Sequence, residues 1–250
     1  FFHHHTPESL LAYMTGTLQQ DGFIFPSPDF SINYLESHDD MTLGDFIRIA
    51  IGEYNYHTRI ENVEAHAKLT PRQQSYHKIA AVFLCISQGC IMIHQGQEYG
   101  RSKIIAWDDA VQDPSMLTLD HNSYNKDNAT NYLNYTHRDY NQALWGYYQG
   151  LFSLRTAMPF FFGQCPRANI SLSYQGTPHQ MTVRLVSEQP NPYAECLIII
   201  NTHPEQEWFY TLPEGEWACF TNAEKSSSQC LEYFSGSLTI PPISAYILMQ

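Results

Sequence analysis

The strongest constraint on the fold is a change of pattern near residue 158. After Pro159 the chain breaks into short apolar runs at near-regular spacing: "ISLSYQG", "QMTVRLVS", "CLIIINT", "EWFYTLP", "WACFTN" and "GSLTIPPISAYILMQ". Gly, Pro and Asn divide them. Runs of this length between turn formers predict an antiparallel β-sandwich over residues 159–250.

Residues 1–158 follow a different rule. "TPESLLAYMTG" carries a helix start, with Thr6 as cap, Pro7 at the first position and Gly16 as stop. "SINYLES", residues 31–37, reads as a short strand. "TLGDFIRIAIG" follows as a helix capped by Thr42, with Asp45 in its first turn. "TPRQQSYHKIAAVFLCIS" is a long helix capped by Thr70, and "GCIMIH" after Gly89 is a buried strand. Residues 95 to about 139 form a long loop, and "YNQALWGYYQGLFSLRTAM" closes the section as an amphipathic helix. Strands separated by helices imply parallel pairing with crossovers. The fold class is thus α/β followed by all-β, divided into residues 1–158 and 159–250.

Charge narrows the partners. The chain has 25 acidic and 13 basic side chains, a formal net charge of −12. Phosphate backbones and anionic membrane surfaces are therefore excluded as expected partners, and a neutral or cationic ligand is favoured. The longest aliphatic stretch, "IAAVFLCI", falls far short of the ~20 residues of a membrane span. The six cysteines form no CxxC pair and read as mostly free thiols, with one disulfide in the C-terminal part left open. The run His3–His5 has no second ligand cluster near it in sequence, so no metal site is expected. The start, "FFHHHTPESL", lacks a signal-peptide pattern and reads as the middle of a longer chain.

Chemistry gathers where the two parallel strands end. One strand runs into Glu36-Ser37-His38-Asp39-Asp40, the other into His94-Gln95-Gly96-Gln97-Glu98. Ligands in parallel α/β folds collect at the carboxyl ends of strands. Position alone leaves two readings open, a site or ordinary strand-end hydrogen bonding.

"INYLESHDDMTL" resembles the fourth conserved region of glycoside hydrolase family 13, the α-amylase superfamily, and in particular its pullulanase and debranching branch. "SQGCIMIHQGQEYGRSK" resembles that branch's eighth barrel strand and following loop. "DHNSYNKDNATNYLNY", "YYQGLFSLRTAMP" and "CLIIINTHPEQEWFYTLPEGEW" resemble later segments in order, so the likeness covers residues 31–250. It implies that residues 1–158 are the C-terminal part of a (β/α)8 TIM barrel, about strands 7 and 8, followed by the sandwich. It implies an α-glucan polysaccharide or oligosaccharide as substrate, with retaining hydrolysis of α-glucosidic bonds, α-1,6 in the debranching branch. Asp39 corresponds to the catalytic carboxylate that stabilises the transition state. His38 corresponds to the histidine that hydrogen-bonds the sugar at the cleavage point. Glu36, Tyr124, Asn125 and Asn131 are the further candidate substrate contacts. Asp40 stands where the family often has Asn, and its side chain is expected to point away from Asp39, since two adjacent carboxylates raise each other's proton affinity. Asn134 and Tyr135 stand where Asp and Trp are usual. Glu98, Gln97 and Arg101 are expected to hold the turn after the second strand. Calcium follows from family analogy alone; no EF-hand-like loop argues for it.

Two expected parts are missing from these residues. No "G-x-R-x-D" nucleophile pattern occurs, and "HTRIENV", residues 57–63, has only the Arg. A closed barrel takes about 250 residues by itself. The expectation is an enzyme fragment that lacks nucleophile and acid/base, whose partner is the missing N-terminal part of the same enzyme. The alternative is a non-catalytic carbohydrate-binding or interaction module with a barrel remnant.

Overall fold

The computed structural model describes residues 5–111, 113–188 and 192–250, so His3 and His4 of the histidine run lie outside the described residues. Its helices begin where side chains replace the missing backbone partners of the first turn. Thr6 Oγ1 accepts from the Ser9 amide (3.2 Å) ahead of α1 (Pro7–Met14). Thr42 Oγ1 accepts from the Asp45 amide (3.1 Å) at α2 (Leu43–Ala50). Asn62 Oδ1 caps α3 (Val63–Ala67) through the Ala65 amide (2.9 Å). At α4 (Pro71–Ile86) the cap is reciprocal: Thr70 Oγ1 accepts from the Gln73 amide, and Gln73 Oε1 accepts from the Thr70 amide. α5 (Thr136–Tyr140) and α6 (Gln142–Ala157) complete the set.

By packing, the chain divides into two compact units, residues 1–33, 78–92 and 146–250 in one and residues 34–77 and 93–145 in the other. The first contains all the strands. β1 (Ile32–Asn33) and β2 (Cys90–Ile91) pair in parallel, Ile32 opposite Cys90 and Asn33 opposite Ile91. The parallel sense agrees with the sequence pattern, but the strands are much shorter than residues 31–37 and the "GCIMIH" run predict. Past Asn33 the backbone leaves the ladder for side-chain partners; Ser37 Oγ, for instance, accepts from the Asp39 amide (3.3 Å).

The remaining strands are β3 (Ile170–Gln175), β4 (Thr177–Val186), β5 (Glu195–Asn201), β6 (Trp208–Thr211), β7 (Trp217–Thr221), β8 (Glu232–Phe234), β9 (Ser237–Ile240) and β10 (Ser244–Met249). Six of them form one sheet in the order β3-β4-β5-β10-β7-β8, every pair antiparallel. β6 and β9 form a separate antiparallel ribbon. The expected sandwich is therefore lopsided. β10 is buried at every position and β5 at all but its first, which is why "CLIIIN" and "SAYILM" read as continuous rather than alternating apolar runs. Leu197, Ile199, Trp217, Cys219, Tyr246 and Leu248 from the large sheet pack with Trp208, Leu238 and Ile240 from the ribbon. α6 lies against the β7–β8 connection: a Cβ on Gly150 would stand 1.9 Å from the Ser226 carbonyl oxygen, so only glycine fits. All six cysteines are free thiols, so the disulfide left open by the sequence is not formed.

The second unit contains α2, α3, α5 and long connections. Among the described residues of 95–135 there is no helix or strand beyond a short 3-10 turn at Gln97–Tyr99 and single bridges, as the loop reading predicts. Its buried side chains include many charged ones: Glu36, Asp45, Arg48, Lys103, Arg101 and Asp120. Among the described residues no helix is long and apolar enough to cross a membrane.

Candidate active site

The second unit brings together segments distant in sequence. Glu36 is the first anchor. Its Oε1 lies 3.2 Å from His94 Nδ1, and its Oε2 accepts from the Leu43 amide at the start of α2. Burial pushes the Glu36 carboxyl above the usual range, opposed by the bonds from His94 and the Leu43 amide. The Glu36 side chain, a candidate substrate contact in the sequence, is turned inward with no exposure. Both oxygens are turned inward because they satisfy an imidazole and a helix N-terminus. The surface-reaching group is His94, whose side chain is 26% exposed. Sequence reading placed His94 in a strand-end cluster without singling it out; the signal was its position directly after the second strand.

Lys103 is the second anchor. Its Nζ donates to the carbonyls of His38 (3.1 Å) and Asp40 (2.6 Å), gripping the turn on both sides of Asp39. The ammonium is almost wholly buried, and burial lowers its pKa, with Asp120 the largest opposing influence. Asp40 adopts a left-handed backbone with φ +57°, a conformation that Asn and Asp tolerate better than other non-glycine residues. That accounts physically for either residue standing there.

With its backbone fixed, the turn presents two side chains outward. His38 is 71% and Asp39 70% exposed, with His38 Nε2 3.3 Å from Asp39 Oδ2. The Asp39 backbone forms an antiparallel bridge with Asn122, which sets the "NSYN" loop beside it. That loop is fixed from within. Asp120 accepts from the Asn122 amide (2.8 Å) and pairs with Lys126 (2.5 Å). Asn131 Nδ2 donates to the Ser123 and Lys126 carbonyls (2.6 and 2.7 Å), while its own carbonyl accepts from Arg101 (2.9 Å). Asn131 thus clamps the loop through its side-chain donor. Tyr124, 68% exposed, and Asn125 remain on the surface.

The turn after β2 is built as the sequence suggests. Glu98 accepts from the Gly96 amide (3.0 Å), and the Arg101 amide donates to the Gly96 carbonyl (3.0 Å). Gly96 has φ +102°, and a Cβ there would meet Arg101 Cδ at 2.7 Å.

Sequence reasoning missed the hub of the unit. Asp45, taken as a first-turn helix residue, is fully buried. It accepts from Ser102 Oγ and from the Lys103 amide (2.8 Å), with Arg48 and His66 at 3.5 and 3.6 Å. Burial pushes its carboxyl up, but the bonds from His66, Ser102 and Lys103 and the Arg48 charge prevail and hold it below the ordinary range. The available signal was the Asp45/Arg48 spacing of three on one helix face. Among the described residues no group of three or more His, Cys, Asp or Glu side chains could hold a metal ion.

In sequence and fold the chain resembles pullulanases and glycogen debranching enzymes. In particular, it is similar to the pullulanase of Bacillus subtilis (strain 168), 31% identical over 159 residues, which take in 62% of this chain and 18% of that protein. It is similar also to the glycogen debranching enzyme of Dickeya chrysanthemi, 28% identical over 214 residues, 76% of this chain and 30% of that one. The chain thus spans less than a third of the curated relatives it matches. No family model matches it. Among solved structures, pullulanase from Bacillus acidopullulyticus shares its fold with a TM-score of 0.73 at 20% identity, over 100% of this chain and 28% of that chain. Pullulanase type I from Bacillus subtilis str. 168, solved complexed with maltose, gives 0.73 at 22% identity over 97% and 31%.

Proposed function

We propose that this chain supplies one side of the substrate cleft of an α-glucan hydrolase of the debranching type, cleaving α-1,6 bonds with retention. In this reading residues 1–158 are the end of a (β/α)8 barrel and residues 159–250 its β-domain. The nucleophile and the acid/base come from polypeptide outside these 250 residues, and the chain alone does not hydrolyse glucan.

Glycosidic cleavage passes through an oxocarbenium-like state, and a fixed carboxylate stabilises that positive charge as it develops. Asp39 takes this role. The observation that carries it is the pairing of a backbone held on both sides by Lys103 with a side chain 70% exposed. His38, beside it, donates to a sugar hydroxyl, and its contact with Asp39 keeps the ring in register. His94, oriented by Glu36, is a further polar contact. Tyr124 and Asn125 bear on outer sugar units.

The test is pullulan hydrolysis by the whole enzyme containing this chain. Asp39→Asn lowers kcat/KM by about 10³-fold or more, as loss of a preorganised electrostatic stabiliser does, and leaves the melting temperature unchanged. Activity within tenfold of wild type sinks the assignment.

A further inference from the structure

A concave surface lies in the β-sheet of the first unit, lined by residues of the β-strands. It encloses about 250 Å³. Its origin is the lopsided layering. The ribbon β6–β9 packs on β5, β10 and β7, while the same face continues across β4 and β3. There the side chains change character. Ser171 and Ser173 on β3 stand opposite Arg184 and Thr182 on β4, polar where a covered sheet would carry aliphatic residues. Leu197, opposite Arg184 on β5, marks where the apolar core begins. Tyr210 of β6 overhangs that boundary, its ring set edge-on to Trp208 with centroids 5.0 Å apart.

The polar groups form a connected surface. Ser173 Oγ and Thr182 Oγ1 are 3.1 Å apart, and Gln175 Nε2 donates to both (2.8 and 2.9 Å). Arg184 and Glu195 form a two-pronged pair, with Nη2 to Oε2 at 2.6 Å. That pairing is decisive for ligand class. The two charges cancel, so the surface offers no net attraction to an anion or a cation, yet it offers donors, acceptors and hydroxyls that serve as either. An aromatic wall beside such groups suits a ring with apolar C–H faces and a rim of hydroxyls. The volume lies below the roughly 300–1,000 Å³ of drug-sized pockets, so the ligand is small.

We propose that this groove binds one or two pyranose units of a neutral oligosaccharide, with Tyr210 against the ring face and Arg184, Glu195, Ser171 and Thr182 on the hydroxyls. It is a second sugar site, built by the β-domain alone, and it rests on the hydrolase reading only for the choice of an α-glucan as probe. In a debranching enzyme it would hold a glucan branch without reacting with it.

The test is calorimetric titration of maltotriose into the 250-residue chain and three variants, each first checked by circular dichroism and melting. Tyr210→Ala removes the aromatic wall. Ser171→Trp, at an exposed position, fills the groove without disturbing the core. Phe209→Ala, which removes an exposed ring one position along β6 and so on the opposite side of that strand, is the control. The expected result is millimolar binding that weakens at least tenfold in Tyr210→Ala and in Ser171→Trp and is unchanged in Phe209→Ala. Binding weakened as much in Phe209→Ala, binding equal in all four proteins, or no binding by the wild type each overturns the groove. None of these results bears on the hydrolase reading, which the pullulan assay decides separately.

Discussion

The β-sheet region and the loop-rich unit solve the same problem with different materials. In the sheet, backbone pairs with backbone along six strands, and what is buried is Ile, Leu, Trp and Cys. In the unit of residues 34–77 and 93–145, much of the backbone is held by side chains. Asp45, Lys103, Glu36, Asn131 and Asn141 each bond to main-chain groups of other segments; Asn141, for example, accepts from the Leu69 amide and donates to the Ala67 and Tyr99 carbonyls. The difference teaches where function has room. A ladder fixes many residues at once and leaves few free to reach a ligand. A polar scaffold fixes irregular turns one by one and lets a residue such as Asp39 stand clear of the core.

The comparison predicts unequal responses to substitution. The largest is at the hub: Asp45→Ala leaves Arg48 buried without its partner and costs about 3–5 kcal/mol, read as a lowered urea midpoint. A loss below 1 kcal/mol would show that the polar scaffold is not what holds this unit. Acid is the next lever. His77 is fully buried, neither ring nitrogen has a protein hydrogen-bond partner, and burial, helped by Arg48 and opposed by Asp45, lowers its pKa to about 3. Because the folded form resists protonation, its contribution is complete above pH 6.5, the ordinary value, and is lost as pH falls toward 3. The slope is at most about 1.4 kcal/mol per pH unit. Urea titrations at several pH values should show this slope flattened in His77→Phe, and an identical slope in the variant refutes the attribution. In the apolar core, Ile247→Val removes one methylene from a fully buried position and costs about 0.5–1.5 kcal/mol, independent of pH. The smallest effect is Asp40→Asn: both residues accept the left-handed backbone, so stability stays within about 0.5 kcal/mol.

The same contrast governs what the sequence revealed. The caps at Thr6, Thr42 and Thr70 and the strands "CLIIIN" and "SAYILM" were legible because capping chemistry and unbroken apolar runs between turn formers determine them. β8 was not: Glu232-Tyr233-Phe234 is a short edge strand, exposed at two of three positions, with no alternation to read. In the site, residue types alone gave a polar strand end, and only the family resemblance separated Asp39 and His38 from their neighbours. The inward turn of Glu36 depends on His94, 58 positions away, and the engagement of Asn131 on carbonyls of a loop it closes. Neither follows from periodicity, because each is a tertiary choice among several available partners.

The grip of Lys103 has a thermodynamic corollary. Holding the carbonyls of His38 and Asp40 removes backbone freedom from the turn at the folding step. A molecule arriving at this surface then has only the rotamers of two exposed side chains to immobilise, rather than a floppy loop, and association retains more of its intrinsic strength.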